Sequence, residues 1–272
     1  MHDIWIAVII GIIEGLTEFL PVSSTGHMIL AGHMIGFQGE KADTFEIVIQ
    51  LGAILAVVVL YWNRVLRLFG LMPKQQSKGN GPRMNLLHIL IAITPALAIG
   101  FLLRHFIKEV LFSPQTVLIG LVLGGIFMII AEKKHPRFTA DDMDQLTYKQ
   151  ALFIGISQIL SLWPGFSRSG ATIAGGMLAG ASRAASADFT FLIAIPVMIA
   201  ATGYELLKSF HSLTSGDLVF FAVGFVVSFI VALLAVMSFI KLVQKLSLTY
   251  FSYYRFVLAG IVLLYMIFVG FD

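Results

Sequence analysis

Residues 11–36 read GIIEGLTEFLPVSSTGHMILAGHMIG, and residues 155–180 read GISQILSLWPGFSRSGATIAGGMLAG. Laid together without a gap, 144 residues apart, Gly11, Ile12, Leu16, Ser23, Gly26, Ile29, Gly32 and Gly36 meet Gly155, Ile156, Leu160, Ser167, Gly170, Ile173, Gly176 and Gly180. Glu14 meets Gln158, Thr17 meets Ser161, Phe19 meets Trp163 and Thr25 meets Ser169. The register continues, with Phe45, Ile49 and Ala56 opposite Phe189, Ile193 and Ala200. Both stretches are apolar and both are broken by a Ser-rich turn. A duplicated half-chain of broken hydrophobic helices predicts two structural repeats with the functional site between them.

The rest of the chain sets the medium. It is 58% hydrophobic and 12% charged, with a mean hydropathy of +0.92, which excludes an ordinary soluble domain. Apolar runs at about 45–62, 86–103, 115–131, 186–206, 217–240 and 251–270 approach or exceed the roughly 20 residues that cross a bilayer as a helix. The expected fold is therefore an all-α polytopic membrane protein with six spans and two re-entrant hairpins, at 3–36 and 150–181. Each hairpin's second arm is only about 10–12 residues, roughly half a bilayer. The Gly32/Gly36 and Gly176/Gly180 spacing predicts close helix–helix approach there. One membrane domain is expected, with repeats at about 1–132 and 150–272. With no Cys, disulfides and thiolate metal sites are excluded.

Each repeat makes an odd number of crossings, so the two must be inverted. One side then carries Arg64, Arg67, Lys74, Lys78, Arg83, Lys133, Lys134, Arg137, Lys149, Lys241, Lys245 and Arg255, and the other only Lys41, Arg104, Lys108 and Lys208. The excess places the first side in the cytoplasm and reads the pI of about 9.1 as topology, with no nucleic-acid partner. The first hairpin is then expected to enter from outside and the second from the cytoplasm, their turns meeting near the midplane.

The turns carry complementary chemistry. In EGLTEFLPVSSTGH, Glu14 and Glu18 share one helix face, and two unpaired carboxylates in hydrocarbon need a cation, a shared proton or water. Ser23, Ser24 and Thr25 put hydroxyls on the turn, and His27 adds a candidate acid/base. In PGFSRSGAT, Arg168 stands where Ser24 stands in the first copy, flanked by Ser167 and Ser169, with Thr172 one turn on. A small-residue turn opening a helix, with a guanidinium, is a natural phosphate cradle. A carboxylate pair for a divalent cation beside a phosphate site predicts metal-assisted phosphoryl chemistry on a lipid phosphate. Gln158 is expected to bond between the hairpins. Glu46, Gln50, Arg183 and Asp188 are expected to be solvated or capping at span ends.

These two motifs resemble the signatures of the bacterial undecaprenyl-diphosphate phosphatases of the bacitracin-resistance type, over essentially the whole chain. The resemblance implies hydrolysis of undecaprenyl diphosphate to the monophosphate carrier of peptidoglycan synthesis, in the bacterial inner membrane. It implies Glu14 and Glu18 as the acidic pair holding Mg²⁺ or Ca²⁺, Ser24 and His27 as the nucleophile and acid/base region, and Ser167, Arg168 and Thr172 as the phosphate-binding turn, with Ser23, Thr25 and Ser169 beside them. Ser24, His27 and a metal-activated water remain alternative nucleophiles. The expected partners are a polyprenyl diphosphate, the bilayer and, as an allowed assembly, a second copy in a homodimer. The rival reading is an inverted-repeat transporter or flippase of a lipid phosphate or another anion, with a Ser/His intramembrane protease a weaker third.

Overall fold

The computed structural model describes residues 2–73, 84–209 and 217–270. Most of the polar loop 73–83 therefore lies outside the described residues. Among those described, every long element is helical: α1 (His2–Thr17), α2 (Ser24–Ile35), α3 (Glu40–Leu60), α4 (Trp62–Leu68), α5 (Leu86–Leu102), α6 (Arg104–Leu111), α7 (Pro114–Lys134), α8 (Tyr148–Ile159), α9 (Arg168–Leu178), α10 (Arg183–Ser209), α11 (Leu218–Val243) and α12 (Leu248–Phe268). Five of them, α3, α7, α10, α11 and α12, are long and apolar enough to span a membrane. A sixth arises if α5 and α6, bent by 72° at Leu103, count as one.

Helix starts follow local sequence. Ser113 accepts from the Thr116 amide while the Thr116 side chain accepts from the Ser113 amide, with Pro114 in the first turn; Thr147 and Gln150 do the same for α8. The two short arms, α2 and α9, are 12 and 11 residues long, as their sequences predict. Their end glycines act differently from expectation. Gly36 (φ 66°) and Gly180 (φ 88°) are left-handed residues that stop the arms. A Cβ on Gly32 would meet the Phe37 carbonyl just beyond its own helix, and only Gly176 faces another helix, at Ser186 of α10.

Close backbone approach occurs at other glycines. Gly11 and Gly155, equivalent in the duplication, lie against the Gly224 and Ala92 carbonyls of α11 and α5. On α7, a Cβ at Gly120 would strike the Pro164 carbonyl, and one at Gly124 the Phe166 carbonyl. The second hairpin's turn is thus seated on α7.

The repeats interlock. Arm α1 packs on α11 of the second repeat, α8 packs on α5 of the first, and α3 packs on α10 between them. The duplicated core positions behave alike: Phe45 and Phe189, and Ile49 and Ile193, are all fully buried. Charges that the sequence places on one side pair with each other, as in Lys41–Asp217 at 2.6 Å and Lys108–Glu205 at 3.3 Å on one side and Arg64–Asp144 at 2.7 Å on the other.

Candidate active site

The two broken turns meet. Ser169 Oγ donates to the Leu20 carbonyl at 2.9 Å, tying one hairpin to the other. Each turn ends at a serine with positive φ, Ser23 at 71° and Ser167 at 72°, a conformation that costs a non-glycine residue of order 1–3 kcal/mol. Each of these serines caps the following arm by accepting from an amide, Gly26 at 3.4 Å and Gly170 at 3.2 Å. The residues just after them, Ser24 and Arg168, therefore sit at helix N-termini, where unpaired N–H groups favour anions.

Ser24 and Arg168 converge on one carboxylate. Ser24 Oγ donates to Glu18 Oε2 at 2.6 Å, and Arg168 Nη2 donates to Glu18 Oε1 at 3.1 Å. The ion pair is largely buried, at 12% and 11% side-chain exposure. The Arg168 guanidinium lies 5.4 Å from the Phe19 ring centroid, and its Nη1 is buried with no partner. A cavity of about 170 Å³ opens between the turns, lined by Glu18, Ser23, Ser24, Thr25, Ser167 and Arg168 together with Gln50, Ser161, Pro164 and Gly165.

Four predicted residues lie outside that lining. Ser169 is committed to Leu20 and Ser167, while Thr172 back-bonds to Arg168 and Ser169 and accepts from Thr190. His27 does not bond to Ser24: its Nδ1 meets the Ser23 carbonyl and its Nε2 the Tyr254 hydroxyl, both at 2.7 Å. Glu14 is 1% exposed with Oε1 unpaired, within the fields of Glu18, Glu46 and Arg168.

Among the described residues no three His, Cys, Asp or Glu side chains gather as a metal cage. Two carboxylates one turn apart, Glu14 and Glu18, one with a buried unpaired oxygen, are the donor type that hard divalent cations take.

Three expectations need correction. Gln158 does not bond between the hairpins; both its amide atoms are buried without partners. Gln50 is no span-end residue but lines the cavity. Arg255 is not a cytoplasmic loop charge: it is fully buried in α12 and donates to the carbonyls of Gly165 (2.7 Å), Phe166 (2.9 Å) and Gly120 (3.1 Å). A lone arginine inside the apolar run 251–270 was the signal available in the sequence, since such a charge seldom goes without a buried partner.

The fold and site define a polytopic helical membrane protein with a carboxylate, a hydroxyl and a guanidinium gathered at two interlocked helix breaks. Residues 7–261 match the family model described as Bacitracin resistance protein BacA. The chain belongs to that family, the undecaprenyl-pyrophosphate phosphatase family.

Proposed function

We propose that this protein hydrolyses undecaprenyl diphosphate to undecaprenyl phosphate and inorganic phosphate, recycling the carrier of peptidoglycan synthesis in the bacterial inner membrane and so conferring bacitracin resistance. The observation that carries the reading is the unpaired Nη1 of Arg168 beside a cavity also lined by the hydrogen-bonded pair Ser24 and Glu18. Arg168 and the amides at the start of α9 neutralise the terminal phosphoryl group, where charge must be stabilised during transfer. Glu18 accepts the Ser24 proton as Oγ attacks phosphorus, and the bond to the bridging oxygen breaks toward the lipid phosphate. Water then releases phosphate from Ser24, with Glu18 returning the proton. Ser24 is favoured over His27 because it lines the cavity, whereas both His27 ring nitrogens are engaged outside it. Glu14 and Glu18 would hold a divalent cation, whose chemistry is to offset charge on phosphate oxygens.

Purified protein is expected to release phosphate from undecaprenyl diphosphate in a metal-dependent manner, and Ser24→Ala to lower that rate at least about 100-fold. Near-parental release by Ser24→Ala would remove the serine from the nucleophile role. Absence of release by folded parent protein at every metal condition would remove the phosphatase reading.

The site opens to the cell exterior in this reading, because the Lys/Arg imbalance puts the first hairpin outside. Cysteines at Glu40 and at Gln76 (the latter outside the described residues) are expected to react with impermeant thiol reagents from opposite sides of the membrane. Reaction of both from one side would overturn the inverted arrangement.

A further inference from the structure

Nine of the ten cavity-lining residues belong to the two hairpins, and the tenth is Gln50 of α3. Gln50 is half-buried, and its amide has no hydrogen-bond partner among the described residues. Its neighbours are otherwise committed: Glu18 to Ser24 and Arg168, and Ser161 to the Gln158 carbonyl. A glutamine facing a cavity with both its donor and its acceptor free is available to a ligand.

The duplication sharpens the point. At the offset of 144 residues, Gln50 of α3 corresponds to Ala194 of α10, which is 1% exposed. The preceding pair, Ile49 and Ile193, is fully buried in both copies. Packing at this position is therefore met by a methyl group in one repeat, and the other repeat carries an amide where the cavity opens. The same divergence marks Glu18 against Leu162, of which only Glu18 lines the cavity. Ser228 Oγ of α11 also donates to the Ile49 carbonyl at 2.8 Å, which pins the backbone just before Gln50. The amide thus stands on a rigid element, as a specific contact requires.

We propose that Gln50 is a substrate-contacting specificity residue whose Nε2–H donates to the phosphate that stays on the lipid, while Arg168 and Ser24 engage the terminal one. This assignment rests on the phosphatase reading above. A carboxylate at this place would repel the diphosphate and compete for Arg168. A second cation would pair with Glu18 and weaken it as a proton acceptor. A neutral amide adds a donor and leaves the charge balance untouched. Because it meets the phosphate in the ground state and the transition state alike, its contribution falls on KM rather than kcat. It also separates two-phosphate ligands from one-phosphate ligands, since only the former reach Gln50 and Arg168 together.

The test uses the purified full-length protein with Gln50→Ala and the near-isosteric Gln50→Met, so that a folding defect in one leaves the other. Two readouts are taken: steady-state hydrolysis of undecaprenyl diphosphate, and calorimetric binding of methylenediphosphonate and of inorganic phosphate. Loss of a hydrogen bond to a charged group predicts KM raised about tenfold or more with kcat nearly unchanged. Methylenediphosphonate affinity should fall by a similar factor, and inorganic phosphate affinity should hold. A parental KM and diphosphonate affinity in both variants would overturn the assignment, as would equal losses for diphosphonate and phosphate, which would reflect a general change of cavity shape. If the parent binds methylenediphosphonate in a Gln50-dependent way yet hydrolyses nothing, the phosphatase reading fails and the Gln50 contact stands. If the parent hydrolyses and the variants match it, the reverse holds.

Discussion

Glu18→Gln is expected to cut kcat/KM for undecaprenyl diphosphate by about 1,000-fold, within the range that general base catalysis supplies. One Glu18 oxygen accepts from Ser24 and the other from Arg168. Glutamine keeps the size but turns one of those acceptors into a donor, which must face either a hydroxyl or a guanidinium. Ser24 then has no anionic base, and Arg168 is left as a largely buried charge without its counter-ion. Removing one partner of such a pair costs about 3–5 kcal/mol, so the thermal midpoint in detergent should fall as well. Adding Arg168→Met to Glu18→Gln should restore part of that midpoint while activity stays lost, because the two side chains share one interaction. Activity of Glu18→Gln within about tenfold of the parent would remove Glu18 from the chemistry.

The second large effect is expected far from any reacting atom. Arg255→Ala would strand the carbonyls of Gly120, Gly165 and Phe166, each losing its guanidinium donor. At about 1–3 kcal/mol for each buried acceptor left unsatisfied, the loss amounts to several kcal/mol. For a chain of this size that is a midpoint lowered by about 10 °C or more. The Gly165 and Phe166 carbonyls belong to the turn that leads into Ser167 and Arg168, and the Gly120 carbonyl to the helix beneath it, so phosphate release should fall as well, although Arg255 does not line the cavity. Arg255→Lys, with a point charge in place of a planar fork, should recover only part of the stability. A midpoint for Arg255→Ala equal to that of the parent would show that the turn is held by other means, such as the Trp163 Nε1–Thr116 carbonyl bond at 2.8 Å.

Much of the architecture is legible in the sequence because it rests on local signals. The apolar runs, the two breaks and the equivalence of Ser23 with Ser167 are visible in the string, and the serine pair reappears as two residues of nearly equal φ. Half of the site is legible for the same reason, since Glu18, Ser24 and Arg168 lie inside the motifs. What escapes depends on which helices become neighbours. Arg255 reads as a boundary charge because nothing near it in sequence announces the Gly165 and Phe166 carbonyls, 90 and 89 residues away. Gln50 reads as a capping residue because one polar side chain in a long apolar helix carries no periodicity. The Gly32/Gly36 spacing misleads in the opposite direction: a pattern that permits close packing also describes a helix stop, and only the partner decides.

The interlocking of the repeats has a consequence for how the molecule is made. Arm α1 is made well before α11, the helix whose surface it packs on. Until α9 is made, Glu18 therefore has its Ser24 hydrogen bond but no counter-ion from the second hairpin. Arg168 arrives to pair with Glu18 only once the eighth helix has passed. A chain that stops before α9 lacks Arg168 and cannot form the ion pair that joins the two hairpins.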